Sequence, residues 1–192
     1  MKESSTEKFI NNLRQNRIIR GDSKRWANWR SVLSITTCHP CVEKHGTIEN
    51  IAILNGTDEK SVDKHYHCKC LWVPMRTKTA STATNMGIRG ADYFLFYQRK
   101  LPECYIDKST AYRFGWKTQY KHLNEALPNK MLGGDLYEND DSKLPSAPGR
   151  RWYEADINYT GGKRNRQRVL YSNDGLIFVT YDHYQTFYEI TA

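Results

Sequence analysis

The sequence lacks any long apolar run. No stretch approaches the roughly 18 apolar residues of a membrane-spanning helix, and the polar start from Met1 to Asp22 has no hydrophobic segment of the secretory type. We therefore expect no membrane partner and no signal peptide. The expected location is cytoplasmic or virion-associated, unless export follows a non-Sec route. Internal repeats are also absent.

The second half lacks a charge excess. Residues 91–192 hold 14 Lys/Arg against 13 Asp/Glu, whereas residues 1–90 hold 15 against 8, within a chain whose net charge is +8. A basic surface favours a polyanionic partner. The excess indicates nucleic-acid binding or merely a solvated surface in the first half, and the second half must rely on local clusters.

The second half also has a single cysteine, Cys104, which we interpret as an incidental thiol. The other four lie within residues 38–70 of this 192-residue chain. A Cys-x-x-Cys pair followed by a second Cys/His cluster is typical of a structural zinc site. The candidate ligands are Cys38, Cys41, His65, His67, Cys68 and Cys70. We favour Cys38, Cys41 and Cys68 with either His65 or Cys70; reduced cysteines without metal are the alternative.

Apolar spacing predicts helices across residues 5–34, interrupted at Gly21-Asp22-Ser23. The small polar residues 76–90 are interpreted as a linker. The predicted organisation is therefore a basic helical and zinc-stabilised module at 1–75, a linker at 76–90 and a second domain at 91–192.

The second domain is predicted to be α+β. Short helices are expected at Asp92–Arg99, Ser109–Phe114 and Lys121–Ala126, and period-two strands at 151–159, 166–172 and 176–181. Asn173-Asp174-Gly175 predicts a hairpin between the last two strands. Helices followed by strands of this kind indicate a twisted antiparallel sheet.

The first predicted strand places Glu154 and Asp156 on one face, and alternate residues of the next segment are arginines. His183 follows the last strand. The simpler interpretation is that the carboxylates and arginines form a ladder of salt bridges and that His183 has a structural role. Together, however, a carboxylate, an imidazole and arginines suit phosphodiester cleavage without a metal. The alternating arginines are Arg164, Arg166 and Arg168.

The segment from Lys143 to Tyr159 and the hexapeptide Asp182–Phe187 resemble the barnase family of microbial ribonucleases. The resemblance runs essentially without gaps from Lys100 to Ile190. A looser match reaches back to Ala91, with one extra residue near Gln98 and Arg99.

This resemblance implies a general base at Glu154, a general acid at His183 and a catalytic lysine at Lys108. It also implies phosphate-binding arginines at Arg164 and Arg168. The remaining implied roles are structural: Asp156 orients the two arginines, Arg150 pairs with Asp174, and Trp116 lies in the core.

The resemblance further implies a guanine-binding loop at 134–143. The residues expected to bind the base are Tyr137, Asn139, Asp141 and Tyr184. The chain departs from the family here, because Asp141 replaces a glutamate and Asp140 an arginine, while Lys163 replaces a phenylalanine and Arg166 a serine. We expect preference for guanosine, weakened or differently ranked by these changes.

The cysteine segment resembles the C-terminal part of phage minor head proteins, through Cys38-x-x-Cys41, Gly46, the later Cys/His cluster and Val73-Pro74. The resemblance implies a carrier module joined to a toxin or effector domain, although Tyr66 stands where the family has proline. The expected partners are single-stranded RNA, a barstar-like or other cognate inhibitor, and phage head components. The alternatives are a nucleic-acid-binding protein and a structural head protein.

Overall fold

The computed structural model describes residues 22–31, 39–56, 70–117 and 120–192. They form two compact units. One contains the described residues up to Thr77 together with Asp140–Ser146, and the other contains Lys78–Asn139 and Ala147–Ala192. The predicted domain limits stay predictions. That residues 140–146 belong to the first unit was not foreseen.

The first unit contains a small antiparallel sheet. Strand β1 (Asp22–Arg30) pairs with β2 (Ile48–Asn50) on one side and with β3 (Leu71–Thr79) on the other. Two short helices, α1 (His39–Glu43) and α2 (Ile51–Gly56), flank β2 in the chain.

The prediction of a helix through residues 22–34 is wrong for Asp22–Arg30. Residues 26–29 are all buried, which a 3.6-residue period does not produce. The spacing of Trp26 and Trp29 imitates a helix, but a strand paired on both sides buries successive residues and favours large rings. Residues 1–21 and 32–34 lie outside the described part.

The second unit is built on a six-stranded sheet in the order β9-β8-β7-β6-β5-β4. All neighbours are antiparallel except β4 and β5. The strands are β4 (Tyr105–Ile106), β5 (Met131–Tyr137), β6 (Trp152–Asp156), β7 (Arg168–Ser172), β8 (Ile177–Thr180) and β9 (Tyr188–Thr191).

Three helices precede most of these strands, as an α+β fold requires. They are α3 (Ala91–Gln98), α4 (Lys108–Arg113) and α5 (Leu123–Ala126), each within two residues of its predicted bounds. The predicted hairpin is confirmed between β7 and β8, where Gly175 has φ +94° and donates its amide to Ser172 O at 3.1 Å. No helix in the described ranges is both long and apolar enough to cross a membrane.

The main core of the second unit lies on one face of the sheet. Ala91 and Leu95 of α3 pack there against residues of β6, β7 and β8 such as Ala155, Val169 and Val179. Because alternate residues of a strand point to opposite faces, Glu154 and Asp156 are directed to the other side of β6. The core thereby fixes which face of the sheet can carry chemistry.

The predicted linker contains the end of β3 and a 3-10 helix at Gly87–Arg89. The fully buried Asp92 organises it, accepting from Ser81 N and Ala83 N at 2.9 Å and from Thr84 Oγ1 at 2.8 Å. Three donors satisfy a carboxylate that would otherwise be costly to bury. Only Thr84 contributes a polar side chain to this arrangement, since the other two donors are backbone amides.

Candidate active site

Glu154 lies in the centre of the candidate site. Its carboxylate accepts hydrogen bonds from Lys108 Nζ at 3.0 Å and from the hydroxyl of Tyr184, and its side chain is 13% exposed. Burial alone would raise the pKa of Glu154, but the bonds from Tyr184 and Lys108 and the positive charge of Arg168 hold it below its usual value. The carboxylate is therefore ionised at neutral pH and able to accept a proton.

Lys108 reaches Glu154 from the first position of α4. Asp107 begins that helix by accepting from Thr110 N at 2.8 Å, an N-cap interaction. The Lys108 amide donates to Asp135 Oδ1 at 3.1 Å, while its Nζ lies 4.0 Å from Asp135 Oδ2. The helix start thus points the ammonium group at two carboxylates.

Asp135 is a site residue that the sequence analysis missed. It lies directly across from Glu154 in the pairing of β5 with β6. Burial raises the pKa of Asp135, opposed by the hydrogen bond and the charge of Lys108. Only the strand register brings the two carboxylates together, so the sequence contained no local signal for it.

A buried cluster of two arginines and an aspartate adjoins Glu154. The Asp156 carboxylate, 2% exposed, accepts from Arg164 Nε at 2.7 Å and Nη2 at 2.6 Å, and pairs with Arg168 Nε at 3.0 Å. The hydrogen bonds and charge of Asp156 raise the pKa of Arg164. Arg168 meets Asp156 across the pairing of β6 with β7, whereas Arg164 reaches it from the loop before β7 and remains 28% exposed for a ligand.

Arg166, the third alternating arginine, is exposed in the loop before β7, and its carbonyl accepts from His183 N at 3.1 Å. His183 itself is exposed, with its ring centroid 4.8 Å from that of Tyr184. Tyr184 therefore contacts both proposed proton-transfer groups. The contact between Tyr184 and Glu154 was not foreseen, because Tyr184 was expected only beside the base.

His183 and Tyr184 both adopt left-handed backbone conformations, with φ of 61° and 67°. Such conformations are unfavourable for residues other than glycine. Asp182 supports them. Its carboxylate accepts from Thr180 Oγ1 at 3.0 Å, Gln185 N at 3.1 Å and Thr186 N at 2.9 Å, with a further bond from Thr186 Oγ1 at 2.7 Å. This role was not foreseen from the sequence, although the acid is adjacent to His183.

The residues expected to bind the base are divided between the two units. Tyr137 stacks on Tyr184 with centroids 5.2 Å apart, and Asn139 has a left-handed φ of 54°. Asp141 is exposed, belongs to the 140–146 segment of the first unit and pairs with Lys143 Nζ at 3.1 Å. The structure thus places Tyr137 against Tyr184 of the candidate site, while the roles of both residues and of Asp141 in binding a base stay predictions.

The predicted zinc ligands lie only partly within the described residues. Cys38, His65, His67 and Cys68 are outside them. Cys41 and Cys70 are both buried and share one cluster with Trp29. Among the residues that the structure describes, no group of three or more His, Cys, Asp or Glu side chains could hold a metal.

Comparisons with known proteins agree with this geometry. A family model described as ribonuclease matches residues 93–191. A ribonuclease from Heyndrickxia coagulans is 51% identical over 100 residues, covering 52% of this chain and 91% of that protein. Ribonucleases from Bacillus intermedius and Bacillus pumilus are also 51% identical over 100 residues, which is 61% of each of those proteins. The matched region contains Lys108, Glu154 and His183.

Proposed function

The chain belongs to the ribonuclease family, and we propose that it is an endoribonuclease that cleaves single-stranded RNA, preferably 3′ of guanosine, without a metal. The observation that carries this proposal is the ionised Glu154, held by Lys108 and Tyr184 beside two arginines that Asp156 orients. Base and cations are thus contributed by the chain itself. His183 supplies the acid.

In the first step, Glu154 removes the proton from the ribose 2′-hydroxyl. The 2′-oxygen attacks the phosphorus, and the bond to the 5′-oxygen breaks as protonated His183 delivers its proton to that leaving oxygen. The products are a 2′,3′-cyclic phosphate and a free 5′-hydroxyl. The proton balance is complete, because one is taken by Glu154 and one is released by His183.

Arg164, Arg168 and Lys108 stabilise the negative charge that gathers on the phosphate oxygens in the transition state. The rigid pairing with Asp156 holds the guanidiniums in place before the substrate arrives, so little reorganisation accompanies the reaction. Arginine suits this role since its planar fork stays charged and meets two oxygens at once.

In the second step, the cyclic phosphate is hydrolysed with the roles exchanged. Neutral His183 removes a proton from water, and protonated Glu154 returns one to the departing 2′-oxygen. For guanosine preference, the support is the loop resemblance and the stacked Tyr137–Tyr184 pair, which offers aromatic surface to a base. Asp140, Asp141 and Lys163 are the positions at which preference would differ from the family.

The decisive experiment is cleavage of a defined single-stranded RNA in EDTA, with the cut sites mapped. We expect cuts after guanosine, lost in Glu154→Gln and in His183→Ala. Glu103→Gln and His39→Ala are matched controls, because both side chains are exposed. Unchanged cleavage in both active-site variants would refute the assignment, and cuts without base preference would refute only the guanosine part.

We also propose a structural zinc site in the first unit. Two thiols in one buried cluster, Cys41 and Cys70, fit a sulfur-rich donor set, and thiolates are preferred zinc ligands. Such a metal would stabilise the fold and take no part in cleavage. Metal analysis of the purified protein, with Cys41→Ser as the comparison, tests the proposal, and absence of bound zinc from the unaltered protein would refute it.

We further propose that the protein acts as a toxin whose producer makes a cognate inhibitor, either barstar-like or of another kind. The support is the expected chemistry, since a guanosine-directed ribonuclease would degrade the producer's own RNA. Co-expression with candidate inhibitors should restore growth, and normal growth without any inhibitor would contradict the idea. Association with phage head components, and the structural-protein alternative, stay predictions.

A further inference from the structure

A stretch of exposed aromatic residues continues from the helix that supplies Lys108. Tyr120 is 77% exposed, Phe114 68% and Tyr112 48%. Single exposed apolar side chains are ordinary on protein surfaces. Three large exposed rings within nine residues are more typical of a binding surface.

The same stretch carries only positive charge. Residues 108–122 contain four Lys/Arg and no Asp or Glu, whereas the whole of 91–192 is nearly balanced. Arg113, Lys117 and Lys121 are all exposed. It is a local cluster of cations and rings of the kind that the balanced second half would need in order to hold a polyanion.

The backbone that carries Tyr112 and Phe114 has a defined helix ending. Helix α4 ends at Arg113 and is followed by Gly115, whose φ of +89° allows Trp116 N to donate to Ala111 O and Gly115 N to Tyr112 O, each at 3.0 Å. This is a Schellman ending. Phe114, at the C-cap, is thereby turned outward on a helix end that is already closed.

The exposed aromatic stretch is also in contact with buried residues of the second unit. Trp116 is 2% exposed and packs with Leu123 and Leu132, while the ring of Tyr112 stacks on it at 5.1 Å with planes 10° apart. Beyond it, Tyr120 N and Lys121 N both donate to Lys117 O, at 2.9 and 3.1 Å, forming a turn. The ring of Tyr112 therefore rests on a buried side chain, so that little ordering of this ring would accompany binding.

We propose that this surface binds single-stranded RNA beyond the nucleotides at the cleaved linkage, with Tyr112, Phe114 and Tyr120 stacking on bases and Arg113, Lys117 and Lys121 contacting phosphates. The proposal rests on the proposed ribonuclease function for its choice of RNA. Aromatic rings interleaved with cations are the means by which proteins hold single strands with little sequence preference. Tyr112 lies one helical turn after Lys108, about 6 Å along the axis and on the same side of α4, so substrate in the catalytic site could extend onto the surface.

The binding test separates this surface from catalysis. Binding of a single-stranded 2′-O-methyl RNA of about 16 nucleotides would be measured by fluorescence anisotropy. This RNA cannot be cleaved, because its 2′-oxygen is blocked. Replacing both Phe114 and Tyr120 by serine should weaken binding about tenfold or more. The triple change Arg113→Gln, Lys117→Gln and Lys121→Gln should reduce the slope of log affinity against log salt by about 2.

The matched control combines Arg89→Gln with Tyr97→Ser, which removes an exposed cation and an exposed ring elsewhere in the second unit. It should leave affinity and salt slope unchanged. Thermal melting of every variant should match that of the unaltered protein, since the altered side chains are exposed. Equal losses in the control and in the surface variants would overturn the proposal.

The cleavage test compares a long single-stranded RNA with a guanosine dinucleotide that reaches only the catalytic site. The surface variants should lower kcat/KM for the long RNA about tenfold and leave it within twofold for the dinucleotide. Loss on both substrates alike would overturn the proposal. Variants that lost affinity for an inhibitor protein but kept the affinity for RNA would also overturn it.

The two proposals fail separately. A protein that binds the blocked RNA through these residues and cleaves nothing would refute the ribonuclease function and support the surface. A protein that cleaves the dinucleotide and the long RNA equally well in all surface variants would support the ribonuclease function and refute the surface.

Discussion

Asp182 allows a direct test of how the fold positions His183, the proposed general acid. The carboxylate accepts four hydrogen bonds, from the side chain of Thr180, the backbone of Gln185, and both the backbone and side chain of Thr186. Although burial would raise its pKa, these bonds hold the pKa of Asp182 below its usual value. We predict that Asp182→Ala impairs catalysis by releasing His183, although Asp182 is not expected to touch the substrate.

The expected loss follows from the backbone. The left-handed conformations of His183 and Tyr184 cost about 1–2 kcal/mol each, hence about 2–4 kcal/mol together. Hydrogen bonds to a carboxylate contribute about 1.5–3 kcal/mol each and offset that strain. Without them the loop relaxes, and kcat/KM should fall about 30- to 1000-fold. Asp182→Asn keeps an oxygen acceptor and should lose about tenfold.

The assay is steady-state cleavage of a guanosine dinucleotide, accompanied by thermal melting. We expect kcat to fall while KM changes little, because a misplaced acid affects the reaction more than ground-state binding. Glu103→Ala, which removes an exposed carboxylate, is the control. A kcat/KM within threefold of the unaltered protein in Asp182→Ala would refute the reasoning. So would equal losses in Asp182→Ala and Asp182→Asn.

Three other predictions concern the base, the buried ion pairs and the first unit. Lys108→Met should raise the pKa of Glu154, because a hydrogen-bonded cation is lost, so the acid limb of the kcat/KM–pH profile moves to higher pH. Asp156→Asn should lower the free energy of unfolding by about 3 kcal/mol or more in urea melts, since it leaves Arg168 buried beside a neutral partner. Prolonged EDTA treatment should lower the melting temperature of the first unit while leaving cleavage intact, and Cys41→Ser should abolish that sensitivity to EDTA.

These predictions have matched controls. Lys100→Met removes an exposed lysine and should leave the acid limb in place. Asp174→Asn breaks a half-exposed pair with Arg150, in which the carboxylate is 45% exposed, and should change the unfolding free energy by only about 1 kcal/mol. An acid limb that moved to lower pH in Lys108→Met would contradict the role assigned to Lys108. An Asp156→Asn variant as stable as Asp174→Asn would contradict the role assigned to the ion pairs of Asp156.

Acid should destabilise the second unit, because protonation removes the negative charge of carboxylates that are paired or hydrogen-bonded in the folded chain. The pKa values of Asp174 and Asp182 are lower in the folded chain than their ordinary values, the first through Arg150 and the second through its hydrogen bonds. Their stabilisation is therefore complete above about pH 4 and is lost as the pH falls through the folded-state values. A free energy of unfolding that rose as the pH dropped below that point would contradict this.

Local sequence patterns predicted much of the second unit. The hairpin at Asn173–Gly175 and the three helices follow from turn residues and apolar spacing, which act over a few neighbouring residues. The first unit was mispredicted at Asp22–Arg30, because Trp26 and Trp29 satisfy both a helical spacing and a strand that is buried on both faces. Pairing with β2 and β3 decided between them, and that pairing is a long-range contact.

The sequence by itself determined the family and the types and order of the proposed catalytic residues, since Glu154, His183 and their cations are carried by motifs that can be read without coordinates. Tertiary structure alone decided what surrounds them. The register of β5 on β6 sets Asp135 against Glu154, and the strained turn after β8 brings the Tyr184 hydroxyl to the same carboxylate. Both contacts join residues distant in the chain. The Tyr184 hydroxyl lowers the pKa of Glu154, and the charge of Glu154 raises the pKa of Asp135, because a pKa depends on the charges and donors nearby in space rather than in sequence.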